Sequence, residues 1–331
     1  MSQKILILGA TGFVGQQLAR ALAAGTWAVP LAAGRSARVS GIDAAGSVQT
    51  LRLDATEEAP LSRALQGIDG VVNCIAGSAT TMTTSTRVLV NAASRQQTPP
   101  RIVHLSSMAV YGPATGLIDE SAALSGVDAY AQAKITTEQL CVPYARSVIL
   151  RPGIVYGPGG PQWTARIARW LYARRLGDLG AAGDGCCNLL YVEDLVTAIS
   201  QALRLNGVEG RTFNLAMSEP PTWNEYFVRF AQALGAVPVA RLGRRRLKIE
   251  SKILAPPLKI AEILSARAGL RSVRLPEAIP PSLLRLCQQD IRLDVHAAER
   301  GLQLSWTALE AGLAAAAAWC RQHLAREAQA S

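Results

Sequence analysis

The apolar run Ile5-Leu6-Ile7-Leu8 passes straight into Gly9-Ala10-Thr11-Gly12-Phe13-Val14-Gly15, after which Leu18 and Leu22 recur at helical spacing. A strand, a glycine turn and a helix start in that order leave backbone N–H groups pointing outward at the positive end of a helix dipole. That is a site for a pyrophosphate. Gly9 permits the tight turn, Gly12 lets phosphates approach the backbone, and Gly15 lets the helix pack close to the sheet. Glycine triplets are common in turns; the position directly after an N-terminal strand is what points to a nucleotide. Thr11, Phe13 and Val14 complete the expected cofactor turn.

The first half of the chain alternates two periodicities. Strands are predicted at 4–8, 28–33, 49–53, 70–75, 101–105 and 147–150, with helical patterns between most of them. Val71-Val72-Asn73-Cys74-Ile75 and Ile102-Val103-His104-Leu105 are nearly continuous in apolar residues, as parallel strands covered on both faces require. The expected fold is α/β, a Rossmann-type doubly wound parallel sheet with ligands beyond the carboxyl ends of its strands. Residues 1–155 are assigned to this dinucleotide-binding domain, with part of 185–215 returning to it. Past 155 the rhythm changes to longer helices and the joints Pro220-Pro221, Pro256-Pro257 and Pro280-Pro281, so 156–331 reads as mainly a smaller, mixed substrate lobe.

Composition narrows the classes further. With 331 residues, 49% apolar and 18% charged, the chain has ample material for a core. The net charge of +10 rests almost wholly on arginine and comes with no zinc-finger or RNA-binding signature. No nucleic-acid partner is expected, and the basic run Arg241 to Lys248 reads as a solvated segment or a contact to an anionic ligand. Six cysteines without a Cys-x-x-Cys pair read as reduced thiols in the cytoplasm. Three scattered histidines suggest no metal. No run reaches the ~18 apolar residues of a membrane span.

Chemistry is sought at the strand ends. Ser106-Ser107-Met108-Ala109-Val110-Tyr111-Gly112 follows the 101–105 strand, and Tyr130-Ala131-Gln132-Ala133-Lys134 sits in a helical pattern soon after. Tyr130 and Lys134, four apart, share one helical face. Together with Gly9-x-x-Gly12-x-x-Gly15, Leu53-Asp54, Arg151-Pro152-Gly153-Ile154-Val155-Tyr156-Gly157-Pro158 and Tyr191-Val192-Glu193-Asp194, these motifs resemble the short-chain dehydrogenase/reductase superfamily. The resemblance covers most of the chain. It is to the extended branch of nucleotide-sugar epimerases, dehydratases and related reductases.

The resemblance implies roles for single residues. Tyr130 is the acid/base, Lys134 favours its phenolate and holds the nicotinamide ribose, and Ser107 bonds the substrate oxygen. A free phenol with pKa near ~10 is a poor base at neutral pH, so a neighbouring ammonium is expected to lower it. Ser107 is preferred to Ser106 because it stands five residues before Gly112; Ser106 is read as a strand-end hydroxyl bonded to backbone. Asp54 corresponds to a contact with the adenine amino group, against the alternative of a plain helix-cap Asp. Ala76 and Gly77 pass the cofactor, Pro152, Gly153 and Val155 shape the nicotinamide pocket, and Asp194 plays a structural part.

The second strand's end separates the cofactors. NAD users carry an acid there, whereas this chain reads Leu31-Ala32-Ala33-Gly34-Arg35-Ser36-Ala37-Arg38. Arg35, with Ser36 and Arg38 nearby, suits a 2′-phosphate. NADP(H) is preferred, and NAD(H) stays open. Met108-Ala109 stands where the branch's dehydratases carry Asp-Glu, which argues against dehydration. The leading expectation is an NADP(H)-dependent oxidoreductase acting on a secondary alcohol or ketone. A nucleotide-sugar 4-epimerase or 4-keto reductase, with Arg285 and Arg292 holding a diphosphate, is the alternative, and a non-catalytic NADP(H) sensor a minor one. The resemblance also implies a homodimer through the Tyr130 helix, whose outward face carries Ile135, Leu140 and Val142; a monomer reads equally well.

Overall fold

The computed structural model describes residues 2–35, 48–243 and 279–329. They fall into two compact units. The first comprises Met1–Gly153, Leu190–Ser218 and Leu293–Trp306; the second comprises Ile154–Leu189, Glu219–Arg292 and Thr307–Ser331.

The first unit alternates β1 (Gln3–Leu8), α1 (Phe13–Ala24), β2 (Ala28–Gly34), β3 (Gln49–Arg52), α2 (Glu58–Ala64), β4 (Gly70–Asn73), α3 (Ala79–Ser94) and β5 (Arg101–Leu105). After β6 (Gly116–Ile118) come α4 (Ala129–Cys141) and β7 (Ser147–Pro152). Past β8 (Ile154–Tyr156), α5 (Arg166–Tyr172) and β9 (Leu189–Tyr191), the chain returns with α6 (Val192–Arg204) and β10 (Thr212–Leu215). Seven of these strands form one sheet, in the order β10-β7-β5-β4-β1-β2-β3. Every pairing in it is parallel. The expected doubly wound fold is therefore present.

Strand order reverses between β1, which is followed by β2 on one side, and β4 on the other. Open α/β sheets bind ligands at that switch point. Register makes the placement concrete: Leu8 pairs with Asn73, and Asn73 with His104. The glycine turn, the end of β4 and the end of β5 thus stand side by side. Ile5, Leu6, Ile7 and Leu8 are at most 1% exposed, which explains their unbroken apolar character. Each such side chain withdrawn from water contributes about 1.5–3 kcal/mol.

Arg101 opens β5 and is itself buried. Its Nη1 donates to the carbonyls of Ala202, Leu203 and Leu205 at 3.2, 2.8 and 2.7 Å, and Nη2 pairs with Glu209. A guanidinium thereby satisfies the free carbonyls at the end of α6.

The second unit is built on α5, α7 (Trp223–Leu234) and the helices Pro281–Cys287 and Leu309–Gln329. Thr222 and Glu225 form a capping box at the start of α7, and Gly235 closes it at φ 76°. Trp223, Tyr226, Phe227 and Phe230 pack along its buried face. Arg229 reaches Glu310 at 2.6 Å across to the final helix. Among the described residues no helix is long and apolar enough to cross a membrane, and no group of three or more metal-ligand side chains gathers.

Candidate active site

The turn after β1 has the shape its glycines imply. Gly9 takes φ 80°, and a Cβ there would stand 2.9 Å from the Cys74 carbonyl at the end of β4. A Cβ on Gly15 would lie 2.5 Å from Gly9 O and 2.7 Å from Ala10 Cα. Neither position tolerates a side chain. On Gly12 a Cβ would meet one atom within 4 Å, Gly9 O at 3.3 Å, so that side of the turn is open. Gly12 is also the N-cap of α1 and supplies no side-chain cap. First-turn amides and an open backbone at the switch point suit a dinucleotide pyrophosphate. Thr11 is exposed and Phe13 and Val14 half-buried in the same turn.

Arg35 is exposed directly after β2. Its charge helps hold the Asp54 carboxyl below the usual range, after the larger effect of hydrogen bonds from Thr56. Asp54 accepts from Thr56 N at 3.0 Å and Thr56 Oγ1 at 2.7 Å, so its carboxylate already carries a local turn. Ser36, Arg38 and residues 244–248 of the basic run lie outside the described residues. Ala76 and Gly77 are exposed in the loop after β4, with Gly77 at φ 156°. Ser78 then caps α3 by accepting from Thr81 N at 3.1 Å. Pro152 ends β7, and Gly153 N donates to Leu215 O at 2.8 Å. Val155 belongs to the second unit.

Ser107, Tyr130 and Lys134 come together. Ser107 caps the short 3-10 turn Met108–Tyr111, its hydroxyl accepting from Ala109 N at 3.2 Å, and it is near enough to the Tyr130 hydroxyl to act on its titration. Asp128 caps α4 by accepting from Ala131 N at 2.8 Å, which fixes the first turn that carries Tyr130. Lys134 Nζ lies 5.8 Å from the centre of the Tyr130 ring and donates to Leu105 O at 2.7 Å.

The titration of the pair differs from the sequence expectation. Tyr130 keeps 42% of its surface exposed, yet the protein around it withdraws enough water to raise the phenol above its ordinary value of 10. Ser107 opposes that rise and the Asp128 carboxylate adds to it. The lowering expected from Lys134 is not among the influences on the phenol. Lys134, itself buried, is pushed down to about 8 by loss of water, against the nearby Cys74, Glu138 and Cys141. Burial pushes the Cys74 thiol up to about 12.

One further expectation changes. Ser106 Oγ is buried and has no hydrogen-bond partner among the described residues, so the backbone bond expected for it is absent; only its N–H is used, donating to Leu150 O at 2.8 Å. Behind the site, Arg151 makes a two-pronged pair with Glu138, Nη2 to Oε2 at 2.7 Å and Nε to Oε1 at 3.0 Å. Its Nη1 donates to Tyr111 OH at 2.8 Å, and Tyr111 donates to Asn214 Oδ1 at 2.6 Å. This buried network ties α4 to β7 and β10. Asp194 is buried in the first turn of α6. Arg285 and Arg292 are exposed in the second unit, and Asp294 accepts from His296 N at 2.9 Å just before the helix His296–Gly301.

A sequence model of the NAD dependent epimerase/dehydratase family matches residues 5–216. The chain belongs to that family. It is a nicotinamide-dependent enzyme of the epimerase and oxidoreductase type. Among curated relatives, an uncharacterized UDP-glucose epimerase of Bacillus subtilis is 29% identical over 38% of this chain and 42% of its own length. The 2'-dehydrokanamycin reductase of Streptomyces kanamyceticus is 26% identical over 70% of this chain and 67% of its own. Much of each relative's length therefore lies outside the match. The family fold recurs in UDP-glucuronic acid 4-epimerase from Bacillus cereus, solved with UDP-glucuronic acid and NAD. That structure is 20% identical, with TM-score 0.72, covering 97% of this chain and all of that one. The dTDP-glucose 4,6-dehydratase from Bacillus anthracis, solved with NAD, superposes at TM-score 0.73 with 16% identity over 97% of each chain.

Proposed function

We propose that this family member is an NADP(H)-dependent oxidoreductase that interconverts a ketone and a secondary alcohol. The observation that carries the reading is Tyr130 and Lys134 one helical turn apart on α4, with Lys134 Nζ 5.8 Å from the centre of the Tyr130 ring and bonded at 2.7 Å to Leu105 O, two residues before Ser107. In this reading the catalytic residues are Ser107, Tyr130 and Lys134. The turn Gly9–Gly15 holds the pyrophosphate, Asp54, Ala76 and Gly77 flank the cofactor, and Pro152, Gly153 and Val155 shape the nicotinamide side. Residues 1–155, with part of 185–215, form the cofactor domain, and 156–331 mainly the substrate lobe. The six thiols, all free, are consistent with work in a reducing cytoplasm.

When bound, the nicotinamide supplies the hydride that reduces the carbonyl carbon. The substrate oxygen then needs one proton. Tyr130 donates it, since a phenol whose pKa lies above 10 is fully protonated at neutral pH. Ser107 donates a hydrogen bond to the same oxygen, steadying the charge that grows there. Lys134, charged below about 8, compensates the negative charge left on Tyr130 and holds ribose hydroxyls.

Preference for NADP(H) rests on Arg35, exposed directly after β2 where NAD users carry an acid; a guanidinium there pairs with a 2′-phosphate. Similarity to a reductase over most of the chain supports the reductive direction. The alternative, a nucleotide-sugar 4-epimerase or 4-keto reductase, is favoured by the shorter match to a UDP-glucose epimerase. NADPH oxidation with a panel of ketones and 4-keto sugar nucleotides tests the reading. Turnover with NADPH supports it. Interconversion of sugar epimers with no net change in cofactor redox state would replace it with the epimerase.

A further inference from the structure

Between the cofactor loop and α4 runs one unbroken chain of hydrogen bonds through buried side chains. Ile75 N, in the loop after β4, donates to Asn73 Oδ1 at 3.2 Å. Asn73 Nδ2 donates to Thr86 Oγ1 at 3.1 Å and meets His104 Nδ1 at 3.3 Å. His104 Nε2 meets Thr137 Oγ1 at 3.0 Å, and Thr137 Oγ1 donates to Lys134 O at 2.9 Å. Asn73, Thr86, His104 and Thr137 are each at most 2% exposed.

The donors and acceptors allow one protonation pattern. Because Asn73 Oδ1 takes the Ile75 N–H, its amide nitrogen has only hydrogens to offer His104, so Nδ1 accepts and the ring proton sits on Nε2. That proton goes to Thr137, whose own hydrogen goes on to the Lys134 carbonyl. Along the line from Ile75 to Lys134 each bond runs in the same direction, which favours mutual polarisation. A charged imidazole has no place in this pattern. Burial and the Lys134 ammonium hold His104 neutral, with its pKa near 3.

We infer that His104 is a positioning residue, the link that holds the α4 turn bearing Tyr130 and Lys134 in register with the Ile75–Gly77 loop beside the cofactor turn. The inference rests on the reading of Tyr130 and Lys134 as the acid and its partner. His104 touches neither substrate nor cofactor. It acts through Thr137 on the backbone of Lys134 and through Asn73 on the backbone of Ile75. An apolar residue of similar size fills the same space but leaves Asn73 Nδ2 and Thr137 Oγ1 each one partner short, and a small shift at a reacting group is enough to slow a reaction.

The test uses the full-length protein with His104→Phe, His104→Gln and Thr137→Val. Amide hydrogen exchange at Ile75 in the unliganded protein is read first, then NADPH affinity by nicotinamide fluorescence, then turnover. Thr137→Val, although Thr137 does not touch Ile75, is expected to speed exchange at Ile75 about tenfold. His104→Phe and Thr137→Val are each expected to lower kcat about tenfold or more, with NADPH affinity within about threefold, and His104→Gln to recover most of the loss by restoring a donor to Thr137. Unchanged exchange at Ile75 in both His104→Phe and Thr137→Val overturns the inference. So does a fall in kcat that only follows a fall in cofactor affinity. Should the parent protein reduce no carbonyl compound, the proposed function fails while the exchange measurement still decides the coupling.

Discussion

The ammonium of Lys134 donates to the carbonyl oxygen of Leu105 at 2.7 Å, so the helix that carries the phenol is fastened to the strand end that carries Ser107. Leu105 ends β5 and Ser107 caps the turn that follows two residues later. The strand end thereby sets where the first turns of α4 stand relative to Ser107. Under the proposed function, a ketone oxygen between them would find a proton donor in Tyr130 and a hydrogen bond from Ser107.

Tyr130→Phe removes the proton donor and little else. Turnover is expected to fall by about 10²–10⁴-fold, the usual contribution of a positioned acid, with NADPH affinity nearly unchanged. Single-turnover rates beside cofactor titrations check this. Retained activity would remove Tyr130 as the acid.

Ionisation of Lys134 gives the pH dependence its sign. Its pKa is about 8, so the charge that supports Tyr130 is present below 8 and lost above it. Reductive kcat is expected to be level towards neutral pH and to decline above about 8. A rate that climbs through the same range contradicts the assignment.

The same residue links pH to stability. Folding lowers the Lys134 pKa from 10.5 to about 8, so between those values the unfolded chain binds the extra proton and the parent gains stability as pH rises. Lys134→Met lacks that gain. Comparing melting midpoints of the two proteins at pH 7 and pH 10, the difference is expected to shift towards the parent at pH 10. A difference independent of pH would show that Lys134 titrates normally.

Buried at 6% and 4% side-chain exposure, Arg151 and Glu138 depend on each other. Glu138→Ala leaves a guanidinium without its counter-charge, which typically costs about 3–5 kcal/mol. A clearly lower urea midpoint is expected. An unchanged midpoint would mean that the pair is not buried in solution.

Arg35→Ala is expected to weaken NADPH binding about 10- to 100-fold, the loss of one or two charge-assisted hydrogen bonds, and NADH binding by less than about twofold. Parallel fluorescence titrations measure both. Equal losses would show that Arg35 never meets a 2′-phosphate.

Local pattern carried much of the architecture. The glycine turn, the strands from Lys4 to Leu150 and the Tyr130–Lys134 spacing each depend on residues within a few positions of one another, and each took the expected form. Contacts set by the register of distant strands were not legible. In the sequence His104 reads as a strand residue and as one of three scattered histidines, because Asn73 lies 31 residues away and Thr137 33. Arg101, which caps a helix about a hundred residues later, gave no local signal either. Ser106 looked like a backbone-bonded hydroxyl because serines at strand ends often are. The rise in the Tyr130 pKa is not legible in the sequence because burial is a property of packing, whereas the nearby lysine is visible there.

Cofactor choice tests the central claim most directly. The purified protein is denatured, the released nucleotide is identified and counted by mass spectrometry, and the emptied protein is titrated with NADPH and NADH. A co-substrate cofactor predicts an empty or NADP-containing protein that exchanges freely and binds NADPH more tightly. Stoichiometric NAD retained through purification would contradict the account, because a hydride that is borrowed and returned belongs to an epimerase.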